Sequence, residues 1–282
     1  MDTPLQLAAE IERNVLAALA EDIGGGDLTA MLTSATRRSK GTVISREDAV
    51  LAGSAWFDAC FRRLDPNVAI RWNARDGEHI EQGQVLCSIE ANTRALLTAE
   101  RAALNFLQLL SSTATTTRRH VDAIAGTRAR ILDTRKTLPG LRLAQKYAVT
   151  CGGGFNHRLG LYDGILIKEN HIMAAGGVSA ALAQARAIGR HDVFIQIEVE
   201  SLEQLAEALD AGATMILLDN MDLAQMRQAV GLTAGRAELE ASGGVHLETV
   251  RAIAETGVDR ISVGSLTKNI RAIDLSLRHS EG

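Results

Sequence analysis

The chain has 282 residues, 46% of them hydrophobic, so it can bury one large core or two modest ones. Its formal net charge of −4 comes from interspersed acidic and basic residues, which argues against a nucleic-acid-binding surface or a basic membrane-binding face. Three cysteines without close spacing argue against a disulfide framework, and no uncharged apolar run approaches roughly 18 residues, so we expect a cytoplasmic protein that does not span a membrane.

The first part of the chain has the pattern of a small α+β domain. Residues 5–20 carry apolar side chains at helical spacing, and the glycines at 24–26 end that pattern. Short strand-like segments with glycine turn signals follow from 40 to 97. Residues 98–125 are rich in apolar side chains and contain no glycine or proline, which predicts a buried helix or helix pair leading into the second half.

The second half alternates β-branched runs with alanine-rich helical stretches. Helices are predicted at 177–188, 201–212 and 246–257. Strands separated by helices of this length pair in parallel, which gives an α/β barrel or a doubly wound sheet. The six predicted strands are 130–133, 164–168, 193–198, 214–219, 237–241 and 260–264.

Polar or glycine residues stand at the end of each of these six runs, and this favours the barrel. The carboxyl ends of barrel strands meet at one mouth, where barrel enzymes carry their chemistry. We therefore expect one site to draw on all six strands. The residues at the six ends are Lys136, Lys168, Glu198, Asp219, Ser242 and Gly264 with Ser265.

Basic side chains are concentrated near two of these ends. The chain has only 5 lysines against 25 arginines, and two of the five are Lys136 and Lys168. Arg135, His157 and Arg158 add donors that suit carboxylates and phosphates. Together they predict an anionic ligand, although solvated lysines at strand ends are the alternative.

Glu198 and Asp219 end successive strands after apolar runs, where an isolated carboxylate would be costly. Two carboxylates completed by waters and substrate phosphates are typical of a magnesium site rather than a zinc site. A pair of structural salt bridges is the alternative interpretation.

Two glycine-containing loops follow the last two strands and precede predicted helices. Backbone N–H groups in such loops bind phosphate, and late-strand phosphate sites are common in barrels. The predicted phosphate contacts are Ser242, Gly243, Gly244, Gly264 and Ser265.

Several motifs in the chain resemble the quinolinate phosphoribosyltransferase family, in order and at family spacing over nearly the whole length. They include a glycine-rich segment near the N-terminus and two basic motifs around the first barrel strands. The motifs are Glu21–Thr29, Glu100–Arg101, Asp133–Gly140, Lys146–Gly154, Asn156–Gly160, Ile167–Ile172, Ile197–Val199 and Leu218–Met221, with the two phosphate loops.

The resemblance implies an N-terminal α/β sandwich-like domain over 1–113 and an incomplete, about seven-stranded β/α barrel over 114–282. The last helix could pack back on the N-terminal domain. It also implies a homodimer with shared active sites, in which Arg101 arrives from the partner subunit.

The implied activity is that of a pentosyltransferase of NAD biosynthesis. Quinolinate and 5-phosphoribosyl 1-diphosphate would give nicotinate mononucleotide, pyrophosphate and carbon dioxide. The resemblance places Arg101, Arg135, Lys136, His157, Arg158 and Lys168 around quinolinate and phosphate. Glu198 and Asp219 would hold Mg²⁺ and the ribose hydroxyls, and they would be catalytic together with Lys136 and Lys168.

Three other functions fit part of the pattern. A molybdenum-transport-associated paralogue would share the fold without consuming quinolinate. A barrel isomerase or synthase acting on phosphorylated sugars would use the same phosphate loops, but the arginine and lysine pairs count against it. A non-catalytic sensor of a phosphate ligand would bind without turnover.

Overall fold

The computed structural model describes residues 4–189 and 192–280. In chain order, its elements are α1 (Pro4–Ile23), a 3-10 turn (Ala30–Leu32), β1 (Arg38–Ser45), β2 (Ala49–Val50), α2 (Ser54–Leu64), β3 (Ala69–Trp72), β4 (His79–Ile80), β5 (Val85–Asn92), α3 (Thr93–Ala123), β6 (Arg130–Leu132), α4 (Arg142–Cys151), β7 (Gly164–Ile167), α5 (Glu169–Ala175), α6 (Val178–Ala187), β8 (Phe194–Val199), α7 (Leu202–Asp210), β9 (Met215–Asp219), α8 (Leu223–Thr233), β10 (Glu238–Ser242), α9 (Leu247–Ala254), β11 (Arg260–Ser262), α10 (Ser265–Lys268) and β12 (Leu275–Ser280).

By its internal contacts, the chain forms two compact units, each with its own hydrophobic core. Among the described residues, the first unit comprises 4–118, 137–153 and 269–280, and the second comprises 119–136, 154–189 and 192–268. The boundary predicted at residue 113 falls inside α3, which continues to Ala123. None of the helices in the described ranges is long and apolar enough to cross a lipid bilayer.

The first unit is built on a four-stranded antiparallel sheet in the order β12-β1-β5-β3. Its core includes the fully buried rings of Trp56, Phe57 and Phe61 from α2. The strand-to-helix change after β5 has a local cause, because Asn92 Oδ1 accepts hydrogen bonds from the backbone N–H groups of Arg94 and Ala95. This side-chain cap starts α3.

The last described element is a strand, not the helix predicted from the sequence. Residues Leu275 and Leu277 alternate with Ser276 and Arg278, and such a period of two suits a strand with one buried face. β12 pairs antiparallel with β1 along its whole length, within the first unit. The expectation that a final helix packs back on this domain is therefore corrected to a final strand that extends its sheet.

The second unit contains a six-stranded parallel sheet in the order β6-β11-β10-β9-β8-β7. All six strands predicted from the pattern are present, and the three predicted helices correspond to α6, α7 and α9. The sheet has the six strands that the pattern predicts, where the resemblance implies about seven. A single bridge between Leu132 and Phe155 stands beside β6 where a further strand would pair.

Side chains alternate between the two faces of this sheet. Ile197, Ile216 and Ile261 belong to the hydrophobic core of the unit. The neighbouring positions turn to the opposite face, because successive strand residues point to opposite sides. Polar side chains on this opposite face gather at the carboxyl ends of the strands, as expected for an open α/β barrel.

Candidate functional site

A cleft of about 300 Å³ opens at the carboxyl ends of the strands in the second unit. Seven of the residues predicted from the sequence line it together. They are Arg135, Lys136, His157, Arg158, Lys168, Glu198 and Ser242. The remaining lining residues are Thr134, Leu166, Leu217, Glu240 and Ser262.

Two of the arginines that line the cleft repel each other. Burial lowers the pKa of Arg158, the nearby charge of Arg135 lowers it further, and Asp163 opposes the shift. The Nε atom of Arg135 is buried and finds no acceptor among the described residues. Because a buried N–H without a partner is costly, this pair is chemically suited to an anionic ligand.

Lys168 and Glu198 form an ion pair at the ends of β7 and β8. The Nζ–Oε2 distance is 3.1 Å, and the Glu198 side chain is 13% exposed while that of Lys168 is 50% exposed. The Lys168 ammonium is thus held by the carboxylate and still faces solvent, where it can meet a second anion.

Lys136 lies against the loop after β11. A Cβ placed on Gly264 would stand 3.1 Å from Lys136 Cδ and 3.9 Å from its Nζ. The carbonyl of Lys136 accepts a hydrogen bond from the buried hydroxyl of Thr267, at 2.9 Å. The absence of a side chain at Gly264 therefore allows the lysine to lie along this loop. Ser265, the neighbouring predicted residue, begins α10.

His157 is held in place by hydrogen bonds to the protein around it. Its Nδ1 accepts a hydrogen bond from the backbone N–H of Arg158 at 2.7 Å, and its Nε2 lies 2.9 Å from Gln196 Oε1 and 3.6 Å from Glu240 Oε2. Gln196 Nε2 donates to Glu240 Oε2 at 3.0 Å, and the Ser262 hydroxyl donates to the other Glu240 oxygen. This chain of bonds fixes the orientation of the imidazole and of the Gln196 amide.

The sequence analysis did not single out Gln196, Glu240 or Ser262. Gln196 and Glu240 are each about 1% exposed and Ser262 is 6% exposed. A signal was present, because Gln196 precedes Glu198 by two residues and Glu240 precedes Ser242 by two. Residues two apart in a strand share a face. The prediction could therefore have included the residue two positions before each of these strand ends.

Asp219 ends β9, and a backbone hydrogen bond links the next residue to the first predicted phosphate loop. The N–H of Asn220 donates to the carbonyl of Ser242 at 3.0 Å. Gly243 and Gly244 both adopt positive φ, at 101° and 59°, which is the region that favours glycine. Asp219 and the predicted loop residues 242–244 thus lie next to each other at the ends of β9 and β10.

Arg101 belongs to the first unit. It is exposed on α3 and lines a groove with Glu21, Asp22 and Asn105. The other predicted site residues are all in the second unit.

The chain matches two family models across most of its length. Residues 27–111 match "Quinolinate phosphoribosyl transferase, N-terminal domain", and residues 113–278 match the C-terminal domain of the same family. Named relatives and a solved structure agree with this assignment.

A Bacillus subtilis protein described as a probable nicotinate-nucleotide pyrophosphorylase [carboxylating] is 42% identical over 91% of this chain and 89% of its own length. The mitochondrial quinolinate phosphoribosyltransferase [decarboxylating] 2b of Nicotiana tabacum is 40% identical over 93% of this chain and 80% of its own. The nicotinate-nucleotide pyrophosphorylase structure from Francisella tularensis is 44% identical, with a TM-score of 0.93 over 96% of each chain. With its two-unit fold and its basic barrel cleft, this chain belongs to the quinolinate phosphoribosyltransferase family.

Proposed function

We propose that the protein transfers the phosphoribosyl group of 5-phosphoribosyl 1-diphosphate to quinolinate and removes one carboxylate. The products are nicotinate mononucleotide, pyrophosphate and carbon dioxide, in the biosynthesis of NAD. The observation that supports this most directly is the Arg135–Arg158 pair, which burial and mutual repulsion leave in need of an anion. Quinolinate carries two carboxylates, which such a pair can bind in the planar, two-point manner of arginine.

The basic side chains have separate tasks in this proposal. Arg135 and Arg158, beside His157, bind the carboxylates of quinolinate and orient its ring nitrogen. Lys136, lying against Gly264, and Lys168, held by Glu198, face the phosphate groups. The loops at Ser242, Gly243, Gly244, Gly264 and Ser265 supply backbone and hydroxyl contacts to phosphate. Holding both substrates in one geometry is itself a large part of the catalysis.

The reaction needs no covalent intermediate with the enzyme. The bond between ribose C1 and pyrophosphate breaks, and the leaving group takes the electron pair while the ribose becomes electron-poor. The lone pair of the quinolinate ring nitrogen then forms the new bond to C1. The adjacent carboxylate leaves as carbon dioxide, its bonding electrons remain on the ring carbon, and a proton replaces it there. Lysine ammonium groups near the diphosphate stabilise the charge of the leaving group.

The carboxylates of Glu198 and Asp219 fit a magnesium ion. Glu198 Oε2 accepts from Lys168 and Asp219 Oδ2 accepts from Asn220, whereas no described residue donates to Glu198 Oε1 or Asp219 Oδ1. The described ranges also contain no cluster of three or more His, Cys, Asp or Glu side chains that would cage a metal. Mg²⁺ usually takes one or two carboxylates and completes its shell with water and substrate phosphates. When bound, it would neutralise charge on the diphosphate.

A homodimer with shared sites completes the proposal. Leu28, Met31 and Leu32 in the first unit are 77%, 61% and 86% exposed, an apolar surface that a second copy can cover. Arg101 of each subunit would act in the partner's cleft. Arg101 lies in the first unit, whereas the other predicted site residues lie in the second, and this is compatible with a role in the partner's cleft.

A reducing compartment such as the cytoplasm suits the cysteines. Cys60, Cys87 and Cys151 are all free thiols. Burial raises the pKa of each to about 12, so they remain protonated and unreactive at neutral pH.

The decisive experiment incubates the purified protein with Mg²⁺, 5-phosphoribosyl 1-diphosphate and either quinolinate or nicotinate. We expect nicotinate mononucleotide from quinolinate and none from nicotinate, because the cleft suits an acid with two carboxylates. One carbon dioxide should be released per nucleotide formed. A folded protein that binds the ribosyl donor but consumes neither acid would overturn the proposal and favour a transport-associated paralogue or a sensor.

A further inference from the structure

Asn220 has an uncommon backbone conformation directly beside the proposed magnesium carboxylate. Its φ is 53°, and among the described residues only Ala234 is another non-glycine residue with positive φ. Asparagine tolerates this conformation better than most residues, but glycine adopts it without any steric strain. A side chain other than hydrogen at such a position is therefore expected to have a structural or functional role.

The side chain and backbone of Asn220 make three contacts that join two strand ends. Its Nδ2 donates to Asp219 Oδ2 at 2.9 Å, and its backbone N–H donates to the Ser242 carbonyl at 3.0 Å. Its Oδ1 occupies the space beside Gly243, where an added Cβ would stand only 2.1 Å from it. The amide thus holds the Asp219 carboxylate with one end and packs against the Gly243 backbone with the other.

We propose that Asn220 is a positioning residue for the ribosyl diphosphate substrate, and this rests on the proposed function. Donation to Oδ2 orients the Asp219 carboxylate and leaves Oδ1 available for a ribose hydroxyl or the metal. The same amide fixes the loop of residues 242–244, so the group that meets the ribose and the loop that meets phosphate keep a constant spacing. Partners of this kind typically change metal affinity or activity about 10-fold to 100-fold when removed.

Two substitutions separate hydrogen bonding from packing. Asn220→Gly keeps the positive φ and removes the amide, whereas Asn220→Asp keeps the shape and replaces the donor by a carboxylate that repels Asp219. If donation matters, both variants weaken binding of 5-phosphoribosyl 1-diphosphate about 10-fold or more, and Asn220→Asp is at least as impaired as Asn220→Gly. Ala234→Gly is the matched control, because it relieves the other positive φ, at the residue that caps the C-terminus of α8, outside the proposed site.

Binding is measured by calorimetry with 5-phosphoribosyl 1-diphosphate and with quinolinate, each with Mg²⁺, alongside kcat and KM for both substrates. We expect the donor's Kd to rise while the Kd of quinolinate stays within about twofold and thermal melting confirms folding. An unchanged donor Kd in both variants, or an equal loss for both ligands, would overturn the role of Asn220. A wild-type protein that binds the donor but does not convert quinolinate would instead count against the proposed function alone.

Discussion

At the scale of single residues, Arg158 shows how a binding site can oppose stability. Burial and the neighbouring Arg135 lower the pKa of Arg158, which means that folding destabilises its charged form. The nearby charge of Asp163 offsets only part of this loss, and among the described residues the guanidinium Nη1 donates a hydrogen bond to the Gly164 carbonyl, at 3.2 Å. An anionic substrate between the two arginines would remove this repulsion.

Arg158→Gln should therefore separate stability from activity. We expect kcat/KM for quinolinate to fall roughly a hundredfold to a thousandfold, since a charged contact to the substrate is lost. We expect Tm of the ligand-free protein to stay equal or to rise, because the repulsion within a half-buried like-charge pair is relieved. Differential scanning calorimetry and steady-state kinetics on the same preparation check both statements. A lower Tm with normal turnover would contradict the assigned role.

At the scale of elements, the end of α2 depends on one buried carboxylate. Asp65, 6% exposed, follows the helix and accepts hydrogen bonds from the backbone N–H groups of Asn92 and Asn67, at 2.8 and 2.9 Å. Arg38 approaches it at 3.5 Å. The Asn92 bond is the main reason that the pKa of Asp65 lies below its usual value. The carboxylate thus joins α2 to β5 and β1.

Acid should weaken this junction. Because the folded pKa of Asp65 is depressed, its contribution is present above the ordinary aspartate pKa of about 3.9 and is lost as the pH falls through the lower folded value. Asp65→Asn should lower the free energy of unfolding at pH 7 by about 1–3 kcal/mol and flatten the acid dependence, as urea titrations would show. Glu90→Gln is the control, since it removes a half-exposed partner of the same Arg38 and should cost little. Equal pH slopes for wild type and Asp65→Asn would refute this account.

The elements also show how far the sequence could lead. The alternation of strands and helices in the second half was readable because each β-branched run is buried and bounded by an amphipathic helix. β12 was missed because its short alternating pattern gains meaning only from pairing with β1, far away in the chain. Glu240 and Gln196 were missed because polar residues inside a barrel resemble ordinary strand polarity until the opposite partner is known.

At the scale of the whole molecule, the proposed shared site predicts complementation between inactive subunits. Mixing Arg101→Ala with Glu198→Ala should regenerate activity, because each mixed dimer would contain one cleft with both residues intact. Random pairing of equal amounts would restore roughly a quarter of the sites. The measurement is turnover after subunit exchange, with mixed dimers verified by two affinity tags.

The control pair is Arg158→Ala with Glu198→Ala. Both residues line the same cleft of one chain, so no pairing restores a complete site. Recovery in this control, or none in verified mixed dimers of the first pair, would rule out the shared arrangement.

The position of β12 has a consequence for synthesis on the ribosome. β1 lies between β5 and β12 in the sheet, yet about 230 residues separate it from β12 along the chain, as in the pairing of Ser45 with Leu275. Until residues 275–280 emerge, the nascent chain presents one side of β1 as an unpaired edge, a surface prone to association with other strands. The second unit, whose segments lie between them, can complete its own core earlier. The pairing of β1 with β12 is thus a late event, and premature termination before β12 would yield a chain that has all the strands of the second unit and an unpaired edge on β1.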